Sequence, residues 1–333
     1  MATKYFIGQT MRGNLGSYTL THQLYRDRVW RAINDNQENV IIKMGDAGNL
    51  VNEWNLLKRF QNRNPFLRPV IDEIEDHSKP QALVLKHLDD DMLNICTARK
   101  LTSREVKYVA RSILEVLMML HEEGIVHTDI KPSNILANFG DGLDRSKEVQ
   151  LADFADWHPV DHRNLAEGVE MGTPIFRAPE AQLQLELGPP MDIWSLGATL
   201  ISLIFGENFH IFSPNVTFDD DRYQLEILFK HVRHFGPWPD SYVDLCCATR
   251  LGVLTYTMEN SPPETYKPFR KFCKEEVPRK DRDFICKLMK LDPRDRPTAR
   301  QLLADEWFQE EVVMEERLQF SEAPMNEGDL VVI

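Results

Sequence analysis

The sequence predicts an α+β fold in two lobes around a cleft, a small β-rich lobe followed by a larger, mainly helical one. Three observations predict it. At 333 residues the chain is longer than a single hydrophobic core usually serves. From about residue 19 to 88, short β-branched and aromatic runs surround one helical segment. From Leu101 onward helical periodicity dominates.

In chain order, residues 1–18 hold three glycines, Gly8, Gly13 and Gly16, with little periodicity, and read as a flexible tail. Residues 19–88 make the small lobe. Val29-Trp30-Arg31-Ala32 is one of its strands, and Val40-Ile41-Ile42-Lys43 is a β-branched run that ends in a cation. Val51 to Phe60 sets Val51, Trp54, Leu57 and Lys58 at helical spacing, with Glu53 on the adjoining face. Lys86-His87-Leu88-Asp89-Asp90-Asp91 connects to the large lobe, residues 89–308. There Ser103 is placed to cap a helix whose wide apolar face is Val106, Val109, Ala110, Ile113, Leu114, Leu117 and Leu120. Met118 and Met119 read as packing residues. Asp141-Gly142 suits a hairpin turn between strands at Ile135 to Ala137 and Val149 to Ala152. Beyond Phe308, Glu310, Glu311, Glu315 and Glu316 followed by Ala323-Pro324 predict a helix end running into an acidic mobile tail, 309–333.

Composition narrows the function classes. Lys and Arg number 39 against 52 Asp and Glu, a net charge of −13. Such a surface argues against general binding to nucleic acid or anionic membrane and is compatible with a basic protein partner. The five cysteines are odd in number and lack the paired spacings of a zinc site, so a reducing, intracellular setting, cytoplasmic or nuclear, is expected. No run reaches the 18 or so apolar residues that span a bilayer, and residues 1–16 have no apolar signal core. Ala2 excludes myristoylation, and the final Leu330-Val331-Val332-Ile333 lacks a prenylation Cys.

The chemistry is concentrated in His127-Thr128-Asp129-Ile130-Lys131-Pro132-Ser133-Asn134, which sets an acid, an amine and an amide at offsets of zero, two and five in one tight loop. An Asp there can accept the proton of an attacking hydroxyl, a Lys two residues on can neutralise a transferred phosphoryl group, and an Asn can hold magnesium. A surface loop after an amphipathic helix is the plainer reading. The stretch resembles the catalytic loop of the protein kinases, HRDxKxxN, with Thr128 in place of the Arg.

Further motifs follow in the order of that family. Val40 to Lys43 resembles its VAIK strand, which makes Lys43 the grip on the α- and β-phosphates and Glu53 its helical partner. Asp153-Phe154-Ala155 resembles DFG, with Ala for Gly, and keeps the metal-binding carboxylate. The Ala removes easy access to positive φ, so this segment is expected to flip less readily. Ala178-Pro179-Glu180 is the family's APE, and Asp192-Ile193-Trp194-Ser195-Leu196-Gly197 resembles the helix start that braces the catalytic loop. Arg296, in Asp292-Pro293-Arg294-Asp295-Arg296-Pro297, matches the Arg that pairs with the APE Glu, here Glu180. The resemblance covers roughly residues 19–308. The runs Phe66-Leu67-Arg68-Pro69-Val70-Ile71-Asp72-Glu73-Ile74, Gly206 to Phe212 and Phe235-Gly236-Pro237-Trp238-Pro239 look like a divergent serine/threonine kinase-like group of filamentous fungi, similar to the cyclin-dependent and SR-protein kinase branch.

The resemblance implies ATP and magnesium as cofactors. It puts Val29 and Leu136 against the base and Leu85 at the back pocket. The backbone of Lys86 and Leu88 then holds the adenine edge, and Asp91 reaches the ribose, although a solvated turn explains Asp89 to Asp91 equally well. Asn134 and Asp153 hold the metal, and Thr173 in Gly172-Thr173-Pro174, in the substrate segment, resembles the Thr that touches the catalytic Asp and Lys.

Two departures bear on activity. The glycine positions of the phosphate-covering loop fall on His22, Leu24 and Asp27, and none is Gly. Losing one or two charge-assisted hydrogen bonds of about 1.5–3 kcal/mol each weakens nucleotide binding by roughly tenfold to several thousandfold. Arg26 and Arg28 flank the turn and either restore part of this or simply form a solvated tip. Thr128 removes the Arg that clamps an activating phosphate, and Thr173 is the only hydroxyl-bearing side chain between Phe154 and Arg177. The expectation is therefore a protein serine/threonine kinase that needs no phosphorylation of this segment. A pseudokinase acting as a binding or allosteric module is the alternative.

Overall fold

The computed structural model describes residues 5–45, 47–74, 82–139 and 146–309. The chain runs β1 (Thr10–Arg12), β2 (Ser17–Tyr25), β3 (Val29–Ile33), β4 (Asn39–Met44), α1 (Ala47–Phe60), β5 (Val70–Ile74), β6 (Ala82–Lys86), β7 (Asp90–Asp91), α2 (Met92–Ala98) and α3 (Ser103–Glu122). It continues through β8 (Ile125–Val126), β9 (Ile135–Phe139), β10 (Ser146–Leu151), β11 (His158–Pro159), α4 (Arg163–Ala166), α5 (Pro179–Gln182) and α6 (Pro189–Phe205). The rest is helical: α7 (Tyr223–Phe235), α8 (Ala248–Glu259), α9 (Arg279–Leu288) and α10 (Ala299–Leu303). This is the kinase fold expected, an antiparallel sheet in the order β1-β2-β3-β4-β6-β5 followed by a mainly helical region. Among the described residues no helix is long and apolar enough to cross a membrane.

The period of two along the strands decides what faces the cleft. Trp30, Ala32, Val40, Ile42, Met44, Ala82 and Val84 point to one side of the sheet and pack there with Tyr5, Met11 and Tyr18. Val29, Arg31, Ile41, Lys43, Leu83 and Leu85 therefore point to the other, toward α1 and the helical lobe. The pairing Val29↔Lys43, Lys43↔Leu83 and Ile41↔Leu85 sets these residues side by side. In the large lobe the apolar face read for α3 is fully buried, from Val106 to Leu120, against a core that also takes in α6 and α9.

Several expectations change. Residues 10–18 are not a tail: β1 pairs with β2 through Thr10↔Thr19, and Tyr5 and Met11 are buried, since the alternation that hides Met11 is too short to register as a strand. The cap of α3 is Thr102 rather than Ser103, in a reciprocal capping box with Glu105, which Ser103 has no acid at the right spacing to form. On α1 the buried stripe is Leu50, Glu53, Leu56, Leu57 and Phe60, and Val51 is exposed. Asp141-Gly142 and residues 310–333 lie outside the described residues.

His231 is a cost inside this core. It is fully enclosed by Trp194 and Phe212, with ring centroids 5.0 and 4.5 Å away, and neither ring nitrogen has a hydrogen-bond partner among the described residues. Burial, and secondarily the Arg296 charge, push its pKa well below the ordinary histidine value. A depressed folded pKa means that the unfolded chain takes the proton first. Stability is then full above about pH 6.5 and falls below it, by up to about 1.4 kcal/mol per pH unit. Urea unfolding at pH 7 and pH 5 should show a smaller acid loss in His231→Phe than in the wild type; equal losses would contradict this.

Candidate active site

The catalytic loop follows β8 and is held from below. Asp192, in the first turn of α6, is fully buried and its carboxylate accepts from the backbone N–H of His127 at 2.8 Å and of Thr128 at 2.9 Å. It also lies 2.9 Å from His121 Nε2. Three partners satisfy a buried acid and fix the loop's height. Thr128 takes φ 75°, a strained value for a β-branched residue. Its Oγ1 donates to Asp156 O at 2.9 Å, so the side chain that replaces the expected Arg ties the loop to the segment after Asp153.

Asp129 is the hub. Lys131 Nζ lies 2.6 Å from Asp129 Oδ2 and donates to Thr173 Oγ1 at 2.9 Å. Thr173 donates its N–H at 2.9 Å and its hydroxyl at 2.8 Å to Asp129 Oδ1. Asn134 Nδ2 donates to Asp129 O at 2.9 Å, which leaves the Asn134 amide oxygen for other use. Gly172 permits the close approach: at φ 75°, a Cβ there would lie 2.6 Å from Thr128 O.

A second constellation faces it. Lys43 Nζ sits 2.7 Å from Glu53 Oε2 and 2.6 Å from Asp153 Oδ1. Burial works against the Lys43 charge, but Glu53 and Asp153 outweigh it and the pKa is raised. Burial likewise opposes the Asp153 charge, and Lys43, with His127 and Lys131 behind it, holds the carboxyl below its ordinary value. The signs define a window. Asp153's contribution is present above about pH 3.9 and lost as pH falls through its lower native value; that of Lys43 is present below about pH 10.4 and lost as pH rises through its higher one. The wild type should therefore gain no pH dependence from this pair between about pH 5 and 9, whereas Lys43→Met leaves the Asp153 carboxylate, which burial disfavours, unpaired, so the variant's stability deficit should grow as pH rises out of the acid range; a deficit independent of pH in chemical denaturation would count against the pairing.

Asp153 itself carries the positive φ, 64°, and Ala155 is not among the described residues with one, so the Gly-to-Ala change is accommodated here. Phe154 N–H donates to Glu53 Oε1 at 3.3 Å. Asn52 Nδ2 donates to Ala155 O at 2.9 Å and to Trp157 O at 3.3 Å, and Trp157 Nε1 returns a bond to Asn52 O at 2.9 Å. This latch between α1 and the segment was not foreseen, since nothing in the spacing of Asn52 and Trp157 marks it. Arg177 was missed as well. It is buried and its guanidinium binds Met171 O, Gly172 O and Glu170 at 2.6–2.7 Å, stiffening the run before Thr173 from within. A lone Arg inside Ile175-Phe176-Arg177-Ala178-Pro179 was the available signal.

At the connector, Leu85 and Leu88 are both buried. Lys86 Nζ pairs with Glu148 at 2.5 Å. Asp91 caps α2, accepting from Asn94 N–H at 2.9 Å, and burial raises its pKa. It pairs across β7 and β9 with Leu136, which, unlike buried Ile135 and Ala137, keeps a half-open side. The turn after β2 is closed by Arg28 N–H on Tyr25 O at 3.0 Å, with Arg26 at φ 44° and Gln23 Nε2 donating to Asp27 at 3.0 Å. Further down, Glu180 and Arg296 form a bidentate pair at 2.6 and 2.7 Å.

Among the described residues no group of three His, Cys, Asp or Glu is arranged to hold a metal. Magnesium completed by phosphates needs few protein oxygens, and the Asp153 carboxylate and the Asn134 amide oxygen are of the type it takes.

Comparison with known proteins agrees with the geometry. The family model described as "Protein kinase domain" matches residues 15–308. The serine/threonine-protein kinase STE20 of Kluyveromyces lactis is 35% identical over 126 residues, 38% of this chain and 12% of its own length. That of Saccharomyces cerevisiae is 34% identical over 126 residues, 38% of this chain and 13% of its own. The serine/threonine-protein kinase SMU1 of Mycosarcoma maydis is 29% identical over 161 residues, 47% of this chain and 20% of its own. The matches thus span a fifth or less of these relatives.

Proposed function

Since this chain belongs to the protein kinase domain family, we propose that it transfers the γ-phosphate of ATP to Ser or Thr of a protein substrate, with magnesium and without phosphorylation of the segment between Asp153 and Glu180. The observation that carries this reading is the simultaneous closure of both constellations, Lys43–Glu53–Asp153 and Asp129–Lys131–Thr173. Thr128 on Asp156 O and Arg177 on residues 170–172 supply the order that a clamped phosphate supplies elsewhere.

In this reading Asp129 accepts the proton of the substrate hydroxyl and orients it, and Lys131 neutralises charge on the phosphoryl oxygens. Thr173 keeps both in register. Lys43, braced by Glu53, positions the phosphates. Asn134 and Asp153 are the residues to hold magnesium, which when bound neutralises developing charge on the phosphates. Val29, Leu85 and Leu136 enclose the base, the Lys86 and Leu88 backbone meets its edge, and Asp91 lies toward the ribose. The lobes divide at residues 86–91. The acidic surface suits a basic substrate, and the likeness of runs such as Phe66 to Ile74 to fungal kinase-like proteins belongs to the same proposal.

A second reading, a kinase-like binding module with weak or no turnover, is favoured by the turn at Arg26 to Arg28, where Asp27 stands in place of a glycine that would approach phosphate. Magnesium-dependent transfer of labelled γ-phosphate onto a mixed set of basic proteins, beside Asp129→Asn, separates the two. Transfer that the variant loses supports the enzyme; none above the variant's background, at millimolar ATP with folded protein, supports the module.

A further inference from the structure

A knot of positive charge interrupts the acidic surface at the far end of α7. Lys230 and Arg233 stand three residues apart and so share one face of that helix. Lys267 is stapled beside them: its N–H donates to Arg233 O at 3.1 Å, and its carbonyl accepts from His234 Nδ1 at 2.9 Å. Lys230 and Arg233 are half-buried, and Lys267 is exposed. Among the described residues none of the three forms an ion pair, and Glu226 and Glu276 act on them only from further off. Arg233 is fixed in place, its guanidinium 4.8 Å over the Phe229 ring and its Nε donating to Ser261 Oγ at 3.3 Å, while its two Nη groups have no protein acceptor among the described residues. The neighbouring sequence has the same sign. Residues 267–282 carry seven Lys and Arg against three acids, one of which, Asp281, is buried and bonded to Ser103 and Trp307, in a chain whose net charge is −13.

A helix C-terminus attracts cations, and that accounts for Arg233 and Lys267 at the last turn of α7. It does not account for Lys230, which stands more than a turn from the end. Burial, with Arg233 and Lys267 adding to it against Glu226, holds the Lys230 pKa below the ordinary lysine value. Burial, and behind it the same three cations, push His234 down to about 4, so the imidazole beside them is neutral at pH 7. Like charges gathered in this way repel one another, and an anion set among them relieves the repulsion. The chemistry of the three narrows the anion. A stacked guanidinium with two unused N–H edges beside two ammonium groups suits a phosphomonoester, which brings a charge of about −1.5 to −2 and three acceptor oxygens, better than it suits one carboxylate.

Position and field decide what carries that phosphate. An extended anionic surface or polymer, beyond a Debye length of about 8 Å from the patch, meets a chain of its own sign. A single phosphorylated residue does not. The first turn of α7 also touches the substrate segment, through Gln182 Nε2 on Gln224 O at 3.4 Å, and Lys230 and Arg233 follow about 9 and 14 Å further along the helix axis. About four extended residues cover that length. We infer that Lys230, Arg233 and Lys267 form a docking site for a phosphorylated Ser or Thr of a protein, and that the substrates of this chain carry such a residue at a distance from the hydroxyl to be modified. The inference rests on the reading above, in which the segment between Asp153 and Glu180 receives a protein chain.

The test is calorimetric binding of the full chain, without nucleotide, to phosphorylated casein and to the same casein after enzymatic dephosphorylation. It compares the wild type with the double variant Lys230→Gln, Arg233→Gln, with Lys267→Glu, and with Lys58→Glu, which makes the same change of net charge on α1. The wild type should bind the phosphorylated form tighter by about tenfold or more, and the double variant and Lys267→Glu should each weaken that binding by about tenfold to a hundredfold. Lys58→Glu should stay within about twofold of the wild type. Lys267→Glu changes an exposed side chain and decides the matter if the double variant does not fold. Equal wild-type affinity for the two caseins overturns the inference, and so does an equal loss in Lys58→Glu, since net charge alone then governs. Wild-type binding to phosphatidylserine vesicles that the double variant loses, with no binding of phosphorylated casein, overturns it in favour of a membrane. No nucleotide enters these measurements, so they stand apart from the label-transfer test: docking without transfer leaves a phosphoprotein-binding module, and transfer without docking leaves the enzyme and removes this site.

Discussion

Asp129→Asn is expected to abolish phosphoryl transfer while the fold and nucleotide binding persist. The substitution is isosteric, and Oδ1 still accepts the two bonds from Thr173. What changes is the other branch: an amide NH₂ replaces the oxygen that Lys131 approaches at 2.6 Å and Asn134 Nδ2 at 3.3 Å, setting donor against donor. The proton acceptor is lost at the same time. General-base removal alone costs about 10²–10⁴ in rate, and displacement of Lys131 adds to it. Initial rates of label transfer, with nucleotide affinity and melting temperature of the same preparations, check this. A rate within tenfold of wild type would sink the assignment of Asp129, and equal loss of nucleotide binding would mean that the substitution had disturbed the cleft instead.

Arg296→Met should produce the largest loss of stability. The Glu180 and Arg296 side chains are 2% and 0% exposed, so removing one leaves a buried, uncompensated carboxylate. Arg296 also donates to Lys290 O, Pro190 O and Leu291 O and lies 5.1 Å over the Trp194 ring. Breaking such a pair costs about 3–5 kcal/mol, roughly 6–15 °C in melting temperature for a chain of this size. Glu180→Leu added to Arg296→Met removes the orphaned charge and should restore much of the loss. Thermal unfolding of the two single variants and the double variant reads this out; single variants within 1 °C of wild type would contradict it.

The parts of the site that could be read in advance are contiguous or tied to a strong local pattern. Asp129, Lys131 and Asn134 share one loop, and Lys43 closes a β-branched run whose alternation turns it to the cleft. Glu180 and Arg296, far apart in sequence, were paired only through the family likeness. Thr102 was missed although Glu105 stood three residues on, because Ser103 drew the cap to itself. Asn52 and Trp157 carried no local mark. Each works through a backbone carbonyl brought close by the packing of two lobes, and carbonyls leave no trace in a sequence. β1 escaped for a different reason: three residues with one buried side chain are too few to show a period.

The bonds from Asn52 to residues 155 and 157 make helix position and segment conformation a single coordinate. To swing α1 outward the molecule must give up Asn52 on Ala155 O, Asn52 on Trp157 O, Trp157 Nε1 on Asn52 O and Phe154 N–H on Glu53 together. At about 0.5–1.5 kcal/mol net for each bond, the outward arrangement is populated at no more than a few per cent. An effector that grips either element moves both, and to hold the outward form it must bind that form more tightly by at least the energy of all four bonds.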